Sequence, residues 1–385
     1  MQVLYLNHTA AVSGAERSLL DLLGALPTHV SPVVASPGGE FARLVRAAAI
    51  DHELVLGTAG SLSLHWRRTP RAGAEILTTA LQVRRLVGHH RPDLVHANSI
   101  RAGIIAGLAR SRTGPPLVTH VRDVLPDRPV SRASLRLVGA RSDALVANSR
   151  FTSDRNRLPE RCGLVEVLHS PVDLARFDPG RVDRAASRGS LGIVGSDLVL
   201  GVVGQITPWK GQLEAIETLG ALTARGLSVR LLVAGSTTFV DEATRYDNRA
   251  YLDRLERRTE ELGLRERVQI LGQRDDVPEI MAAMDILLVP SWEEPMGRTV
   301  LEGMAMERPV IATSVGGPAE LLIDGVHGRL LPPRDSSAWA EAIEQIAGRN
   351  DRGAGLGRSA RARVASEFGL KAHVQRLLEL YGDLA

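Results

Sequence analysis

The chain has 385 residues, which is long for one ordinary hydrophobic core, so two domains are expected. With 44% hydrophobic and 24% charged residues, it does not have the composition of a disordered or fibrous protein. The single cysteine, Cys162, excludes an intramolecular disulfide and argues against Cys-based metal sites. The net charge is +3, yet only Lys210 and Lys371 of the 47 basic residues are lysine, so each deserves an explanation.

No segment approaches the roughly 18 consecutive apolar residues of a transmembrane helix. The amino-terminal residues 1–8 lack a basic segment followed by an apolar one, which favours a first strand over a signal peptide. We therefore expect a cytoplasmic protein.

Short apolar runs alternate with longer amphipathic segments along the whole chain. The runs are aliphatic without polar alternation, which is typical of parallel strands buried on both faces. This repetition predicts α/β domains with parallel sheets. The predicted strands are Val3–Leu6, Val33–Ala35, Leu54–Leu56, Leu94–Ala97, Leu117–His120, Ala144–Ala147, Leu198–Val203, Val229–Ala234, Val268–Leu271, Ile286–Pro290 and Val310–Ala312.

One break separates two series of strands. Residues 176–196 are rich in Gly, Ser, Arg and Asp and show little periodicity, so they are predicted to be a linker. The predicted organisation is a first domain over 1–175, this linker, a second domain over 197–365 and a terminal amphipathic helix within 366–385.

The balance of basic and acidic residues changes sign near the same break. Residues 1–190 have 25 arginines against 16 acidic groups, a balance of +9, whereas the remainder has a balance of −6. Chance is one explanation. The other is a basic first domain that meets an anionic partner, such as a membrane surface or a phosphate-bearing acceptor. The most basic segments are His65–Arg71 and Arg84–Arg91.

Three segments carry residues suited to ligand chemistry. The first, GQITPWKG at Gly204–Gly211, follows a predicted strand and precedes a helix, where glycines let backbone amides approach a phosphate. It is not a Walker A loop, because Trp209 precedes Lys210 and Gly211 follows it. Lys210 is either a surface lysine or a compact charge that neutralises a departing phosphate.

The second segment, PSWEEPMGRTVLEGMA at Pro290–Ala305, places Glu294 in a loop and Glu302 one to two turns into a helix. Both carboxylates can border a ligand at the helix start and accept hydrogen bonds from vicinal hydroxyls. In the third, ATSVGGPAE, Gly316 and Gly317 either form a tight turn or leave room for a sugar.

Together these segments resemble the signature of the family 4 retaining glycosyltransferases, whose GT-B architecture has two Rossmann-like domains facing across a cleft. The family's Glu-Pro-Phe-Gly, four residues, Glu pattern matches Glu294 to Glu302, with Met296 in place of Phe. Its Gly-Arg…Lys-Gly loop matches Gly204 to Gly211, with Gln205 in place of Arg. The likeness is strong over residues 198–335 and thinner over the first domain.

The resemblance implies a role for each matched residue. Lys210 would neutralise the leaving diphosphate without a metal or other cofactor, and Glu302 would hold the ribose hydroxyls. Glu294 would bind the donor sugar, and His120 would contact that sugar from the first domain. The remaining implied donor-binding residues are Gly14, Gly204, Gln205, Met296, Gly297, Gly316 and Gly317.

The chain departs from the family at Gln205, which carries no charge where the family has an arginine. Losing an oriented cation at a leaving phosphate would remove transition-state stabilisation. Arg298, at the predicted helix start after Gly297, is our candidate for the replacement cation.

The resemblance implies a hexosyltransferase that moves a sugar from a nucleoside diphosphate sugar to an acceptor hydroxyl with retention of configuration. The acceptor class stays open between glycan, glycolipid or other lipid-linked acceptor, polysaccharide and secondary metabolite, with no nucleic acid involved. Peripheral contact with the inner face of the membrane is a further expectation. Two alternatives remain: a GT-B-fold nucleotide-sugar 2-epimerase and a catalytically inactive nucleotide-sugar-binding homologue.

Overall fold

All of the strand pairs in the described part of this computed structural model are parallel. The structure describes residues 1–58, 68–237 and 246–385. The chain divides into one unit of Met1–Pro171 with Leu370–Ala385 and another of Val172–Gly369. This confirms the predicted α/β class with two Rossmann-like domains.

The first unit contains one seven-stranded sheet. Its strands are β1 (Gln2–Leu6), β2 (Ser31–Ser36), β3 (Asp51–Leu54), β4 (Leu94–Ala97), β5 (Leu117–Val121), β6 (Ala144–Ala147) and β7 (Val165–Val167). Their order is β3-β2-β1-β4-β5-β6-β7. The helices of this unit are α1 (Gly14–Gly24), α2 (Glu40–Ala47), α3 (Arg68–His90), α4 (Ile100–Ala109), α5 (Pro129–Arg141) and α6 (Arg150–Arg155), with α15 (Leu370–Leu384) from the end of the chain.

The second unit contains a six-stranded sheet. Its strands are β8 (Leu198–Val203), β9 (Val229–Ala234), β10 (Val268–Gly272), β11 (Ile286–Val289), β12 (Val310–Thr313) and β13 (Arg329–Leu331). Their order is β10-β9-β8-β11-β12-β13. The helices are α7 (Arg184–Ser190), α8 (Gln212–Ala224), α9 (Asn248–Glu261), α10 (Val277–Ala283), α11 (Arg298–Ala305), α12 (Pro318–Leu321), α13 (Ser336–Ala347) and α14 (Ala354–Glu367).

The central strands are buried along their full length, as their aliphatic sequences predict. Every residue of β4, β6, β11 and β12 is buried. Helices therefore cover both faces of these strands, and the loops at the carboxyl ends are the parts of each sheet open to ligands.

The predicted linker, residues 176–196, is wrong. These residues belong to the second unit, where Phe177 and Leu191 lie in its core and α7 forms. The segment is fixed by charge as well, because Arg184 donates to Asp285 at 2.6 Å and to the carbonyl of Met284 at 2.7 Å. Its sequence resembles that of a linker because it is rich in Arg and Gly, and the apolar residues that pack into the core are few and widely spaced.

Two kinds of strand prediction also need correction. The third strand was predicted at Leu54–Leu56, but β3 ends at Leu54, and its polar sequence DHEL pairs with β2 at the sheet edge. Leu54 and Leu56 are 68% and 53% exposed, so they are not core residues. The strands β7 and β13 were not predicted, because each has only three residues.

The terminal helix α15 lies within the predicted range 366–385 and belongs to the first unit. Val374 and Leu377 lie in the same core cluster as residues of β1, β2 and α1. The Tyr381 hydroxyl lies 2.6 Å from Nδ1 of His96 on β4, inside the buried region. The helix therefore completes the core of the first unit.

A cluster of buried histidines lies in the first unit. Burial, with a smaller contribution from the Arg122 charge, lowers the pKa of His96 to about 3 and that of His373 on α15 to about 4. The pKa of His120 also lies well below its ordinary value, mainly because of burial. These imidazoles are therefore neutral in the folded chain near neutral pH.

Lowering the pH should destabilise the first unit. The unfolded chain takes up protons at these histidines near pH 6.5, but the folded chain does not until about pH 4 or below. Each histidine should then cost about 1.4 kcal/mol of unfolding free energy per pH unit below about pH 5.5.

Urea unfolding between pH 7 and pH 5 measures this effect. The slope should be shallower in His373→Gln, since one titrating group is removed. Equal free energies of unfolding at pH 7 and pH 5 would show that these histidines do not set the stability of the unit.

Candidate active site

The three motif segments of the second unit follow neighbouring strands. GQITPWKG begins where β8 ends, the loop before Glu294 follows β11, and Gly316 follows β12. Since β8 pairs with β11 and β11 with β12, all in parallel, the segments meet at one edge of the sheet. The chain also changes direction across the sheet between β8 and β11, the point at which open α/β sheets bind ligands.

Lys210 and Glu294 are in direct contact at this edge. The Nζ of Lys210 lies 2.7 Å from Oε2 of Glu294, and the Ser291 hydroxyl donates to the same oxygen at 2.8 Å. The Lys210 side chain is 20% exposed and that of Glu294 is 8% exposed. The ammonium also lies 4.3 Å from the ring centre of Trp209, which favours a cation–π contact. The lysine is therefore held in a mostly desolvated position.

Gly316 and Gly317 allow the backbone of the Glu294 loop to pack closely against them. The amide of Gly317 donates to the carbonyl of Glu294 at 2.8 Å. A Cβ at Gly316, whose φ is +111°, would lie 2.0 Å from that carbonyl oxygen. A Cβ at Gly317 would lie 2.3 Å from the carbonyl oxygen of Met296. The space that a side chain would occupy at both glycines is thus filled by the Glu294 loop, and their expected contact with a donor remains a prediction.

Gly204 differs from that pair. It has a φ of +150°, and a Cβ at this position would meet no atom within 4 Å. Gly211 is again a packing glycine, since its Cβ would lie 2.1 Å from the carbonyl oxygen of Pro290. Next to Gly204, the carbonyl of Gln205 accepts from the Gln212 side chain at 2.8 Å. At Gly204 the direction that a side chain would take is open, although its amide donates to the carbonyl of Ala234 at 2.9 Å.

Arg298 and Glu302 bind each other. The Nε of Arg298 lies 2.8 Å from Oε1 of Glu302 across one turn of α11, and the two side chains are 14% and 11% exposed. Gly297 precedes them as the left-handed cap, with a φ of +88°, while the Met296 side chain is buried in the core. The roles expected for Arg298 as second cation and for Glu302 as ribose ligand remain predictions. A ligand that bound either side chain would have to replace part of the contact between them.

The two expected site residues of the first unit have contrasting positions. Gly14 is the first residue of α1, and a Cβ there would meet nothing within 4 Å. His120 on β5 is only 1% exposed, and its ring centre lies 5.7 Å from that of His96. This ring is part of the buried histidine cluster, and its expected contact with a sugar remains a prediction.

Sequence reasoning missed an aromatic support behind Lys210. The Trp292 amide donates to the Trp209 carbonyl at 2.8 Å, and its indole Nε1 donates to Glu214 at 2.6 Å. The guanidinium of Arg334, in a left-handed backbone conformation, lies 3.8 Å from the centre of the Trp292 ring. The signal was available, since two of only four tryptophans occur inside the motif segments.

No metal cluster accompanies these residues in the described chain. Within residues 1–58, 68–237 and 246–385, no three His, Cys, Asp or Glu side chains are grouped so that they could hold a metal ion. The positive charge at this edge of the second sheet is supplied by side chains such as Lys210.

Two family models cover most of the chain. Glycosyltransferase Family 4 matches residues 12–176, and Glycosyl transferases group 1 matches residues 197–349. The chain belongs to the family 4 glycosyltransferases. It is therefore an enzyme of the glycosyltransferase class, as the motifs indicated.

Related proteins agree with this assignment. The chain is 32% identical over 316 residues to a D-inositol 3-phosphate glycosyltransferase of Mycobacterium sp. strain KMS, covering 76% of this glycosyltransferase and 67% of that one. It is 26% identical to HepE of Anabaena, solved with UDP and glucose, with a TM-score of 0.85 and full coverage of both chains.

A third likeness concerns the fold alone. Sucrose-phosphate synthase of Thermosynechococcus elongatus is 20% identical, with a TM-score of 0.79 over 100% of this glycosyltransferase and 99% of that chain. The GT-B fold predicted from the motifs is confirmed by these structures.

The contact between Gly316 and Glu294 can be tested with a matched glycine. Gly316→Ala should displace the Glu294 loop, because the new methyl group overlaps its carbonyl. Gly325→Ala is the control, since Gly325 also has a positive φ, +75°, but open space around it. We expect Gly316→Ala to lower the free energy of unfolding by about 1–3 kcal/mol more than the control does.

Urea unfolding of both variants measures the difference, and glycosyl transfer should fall only in Gly316→Ala. Equal losses in the two variants would show that the glycine pair does not hold the Glu294 loop.

Proposed function

We propose that this glycosyltransferase moves a hexosyl group from a nucleoside diphosphate sugar to an acceptor hydroxyl, with retention and without a metal. The observation that carries the proposal is the Lys210–Glu294 contact at the switch point of the second sheet. It puts an ammonium group beside a carboxylate. The ammonium can donate to a diphosphate, and the carboxylate can accept from a sugar hydroxyl. The UDP and glucose bound to HepE support a nucleotide-sugar donor.

Lys210 would stabilise the leaving group. An ammonium has three donors, and the contact with Glu294 uses one of them, so others can point to a phosphate oxygen. Charge builds on that oxygen as the bond to the sugar breaks, and a preorganised cation in a mostly desolvated site stabilises it. This is the work that a metal ion does in other phosphate-transferring sites.

Glu294 is poorly suited to be a nucleophile. Its Oε2 accepts from both the Lys210 ammonium and the Ser291 hydroxyl, which reduces the electron density available for attack. We therefore favour front-face transfer. The acceptor oxygen bonds to the anomeric carbon while the bond to the diphosphate breaks, and the acceptor proton passes to the departing phosphate oxygen.

Lys210→Gln tests the leaving-group role, and Lys371→Gln is the matched control because Lys371 is the only other lysine and is exposed on α15. With UDP-glucose as donor, release of UDP should fall roughly 100-fold or more in Lys210→Gln. The control should keep wild-type activity, and Lys210→Arg should keep part of it because the charge remains.

Further measurements on the same protein decide the finer points. Activity after chelation and an unchanged anomeric configuration in the product are the expected results. Donor turnover without any acceptor would indicate the 2-epimerase instead. Stabilisation by UDP-glucose without turnover would indicate an inactive binding protein. If no nucleoside diphosphate sugar raises the unfolding temperature, the proposed donor class is wrong, since ligand at 100 times its Kd adds about 2.7 kcal/mol.

We also propose that the basic first unit contacts the inner face of the membrane through α3. Leu77 and Leu81 are 58% and 61% exposed on this helix, followed one turn later by exposed Arg84 and Arg85. Neither arginine forms an ion pair with any residue that the structure describes. Residues 65–67 of the other basic segment lie outside the described residues. No helix of the described chain is long and apolar enough to span a bilayer.

Sedimentation with vesicles tests this contact. The chain should bind vesicles containing phosphatidylglycerol and not those of phosphatidylcholine alone. The double variant Arg84→Gln/Arg85→Gln should weaken binding roughly 10- to 30-fold, at about 1 kcal/mol per basic residue. Arg43→Gln/Arg136→Gln removes the same charge from α2 and α5 and should bind as wild type does; an equal loss in both double variants would show that only net charge matters.

A further inference from the structure

The carboxyl edge of the first sheet holds a second group of polar side chains. The chain changes direction between β1 and β4, so the residues after these two strands border a switch point of their own. His8 lies two residues beyond β1, and Ser99 and Arg101 lie at the start of α4 just beyond β4. His8 is more than 90 positions from Ser99 and Arg101 in sequence, and the three residues meet within one unit.

The three side chains form a hydrogen-bonded chain of fixed polarity. Arg101 Nη1 lies 3.3 Å from His8 Nε2, and Ser99 Oγ lies 2.9 Å from His8 Nδ1. A guanidinium can only donate, so Nε2 of His8 accepts and Nδ1 carries the proton that it donates to Ser99. Burial lowers the pKa of His8 to about 3, so the ring is neutral and can accept in this way.

Arg101 is a fixed cation with donors to spare. Its hydrogen bond to His8 uses one of five N–H groups, and the described chain provides no ion pair for it. Asp123 is close enough to raise the pKa of Arg101, whereas burial is the larger effect and lowers it. A mostly buried guanidinium held by a neutral imidazole favours an anionic ligand that can accept two parallel hydrogen bonds.

We propose that Arg101, oriented by His8 and Ser99, binds a phosphate group on the acceptor of this glycosyltransferase. The proposal rests on the proposed sugar transfer, since only a transferase has an acceptor. Binding of the phosphate itself requires no donor. The phosphate can belong to a soluble polyol or sugar phosphate or to a lipid headgroup. Arg101 is a ligand-binding residue here, and His8 is a positioning residue.

Calorimetric titration of the full chain without donor tests the site. The probes are inorganic phosphate, glycerol 3-phosphate, glucose 6-phosphate and inositol monophosphate, each phosphate ester paired with its uncharged parent. We expect at least one ester to bind at least tenfold more tightly than its parent. Arg101→Gln should weaken that binding about 10- to 100-fold, the range for a lost hydrogen bond to a charged group.

Three further variants sharpen the result. Arg101→Lys keeps the charge without the planar fork and should lose an intermediate amount of affinity. His8→Asn should weaken ester binding less than Arg101→Gln does. Arg112→Gln is the matched control, because Arg112 is exposed just after the same helix, and it should bind as wild type does.

A vesicle arm separates the two sources of phosphate. Vesicles containing phosphatidylinositol should retain the chain in an Arg101-dependent manner if the phosphate belongs to a lipid, with soluble esters binding more weakly. The reverse order indicates a soluble acceptor. The proposal is overturned if no ester binds more tightly than its parent, or if Arg101→Gln stays within twofold of wild type in both arms.

These outcomes are independent of the donor proposal. UDP-glucose should stabilise Arg101→Gln as it stabilises wild type, because Arg101 is not among the proposed donor-binding residues, and Lys210, Glu294 and Glu302 lie in the second unit. Loss of ester binding with intact donor binding supports the acceptor site. Failure of every nucleoside diphosphate sugar to bind wild type contradicts the donor proposal alone.

Discussion

Parallel pairing of β8 with β11 and of β11 with β12 is the constraint on which the candidate active site depends. It brings the carboxyl ends of three strands to one edge, so residues 84 positions apart in sequence, Lys210 and Glu294, come within 2.7 Å. The glycines after β12 then let the Glu294 loop lie against its neighbour without a side chain between them. The backbone therefore positions the Lys210 and Glu294 side chains next to each other without a ligand.

Charge in the second unit is balanced in pairs at this edge. Lys210 faces Glu294 and Arg298 faces Glu302, each pair in a mostly desolvated position. Removing one partner would leave a desolvated charge, which is expensive, so both members of a pair are constrained together. A bound donor would replace one set of charge contacts by another, which keeps the cost of opening either pair low.

Much of this arrangement could be predicted from sequence. The aliphatic runs located ten of the thirteen strands, because strands buried on both faces must be apolar, and the spacing of Glu294 and Glu302 indicated a ligand edge. The short β7 and β13 carried too few residues for a pattern. His8 and Arg101 could not be paired from sequence, since only the sheet order brings them together. The contact of His120 with His96, and of His96 with Tyr381 on α15, likewise depends on the tertiary fold.

The position of α15 has a consequence for biosynthesis. The second unit is one continuous stretch, Val172–Gly369, inserted between the two parts of the first unit. On the ribosome, the second unit can therefore close its core while the first still lacks the helix that carries Tyr381 and Val374. The usual order, in which the amino-terminal domain matures first, is reversed. Until α15 is synthesised, the apolar side chains of the first unit that pack against it stay exposed, which favours aggregation.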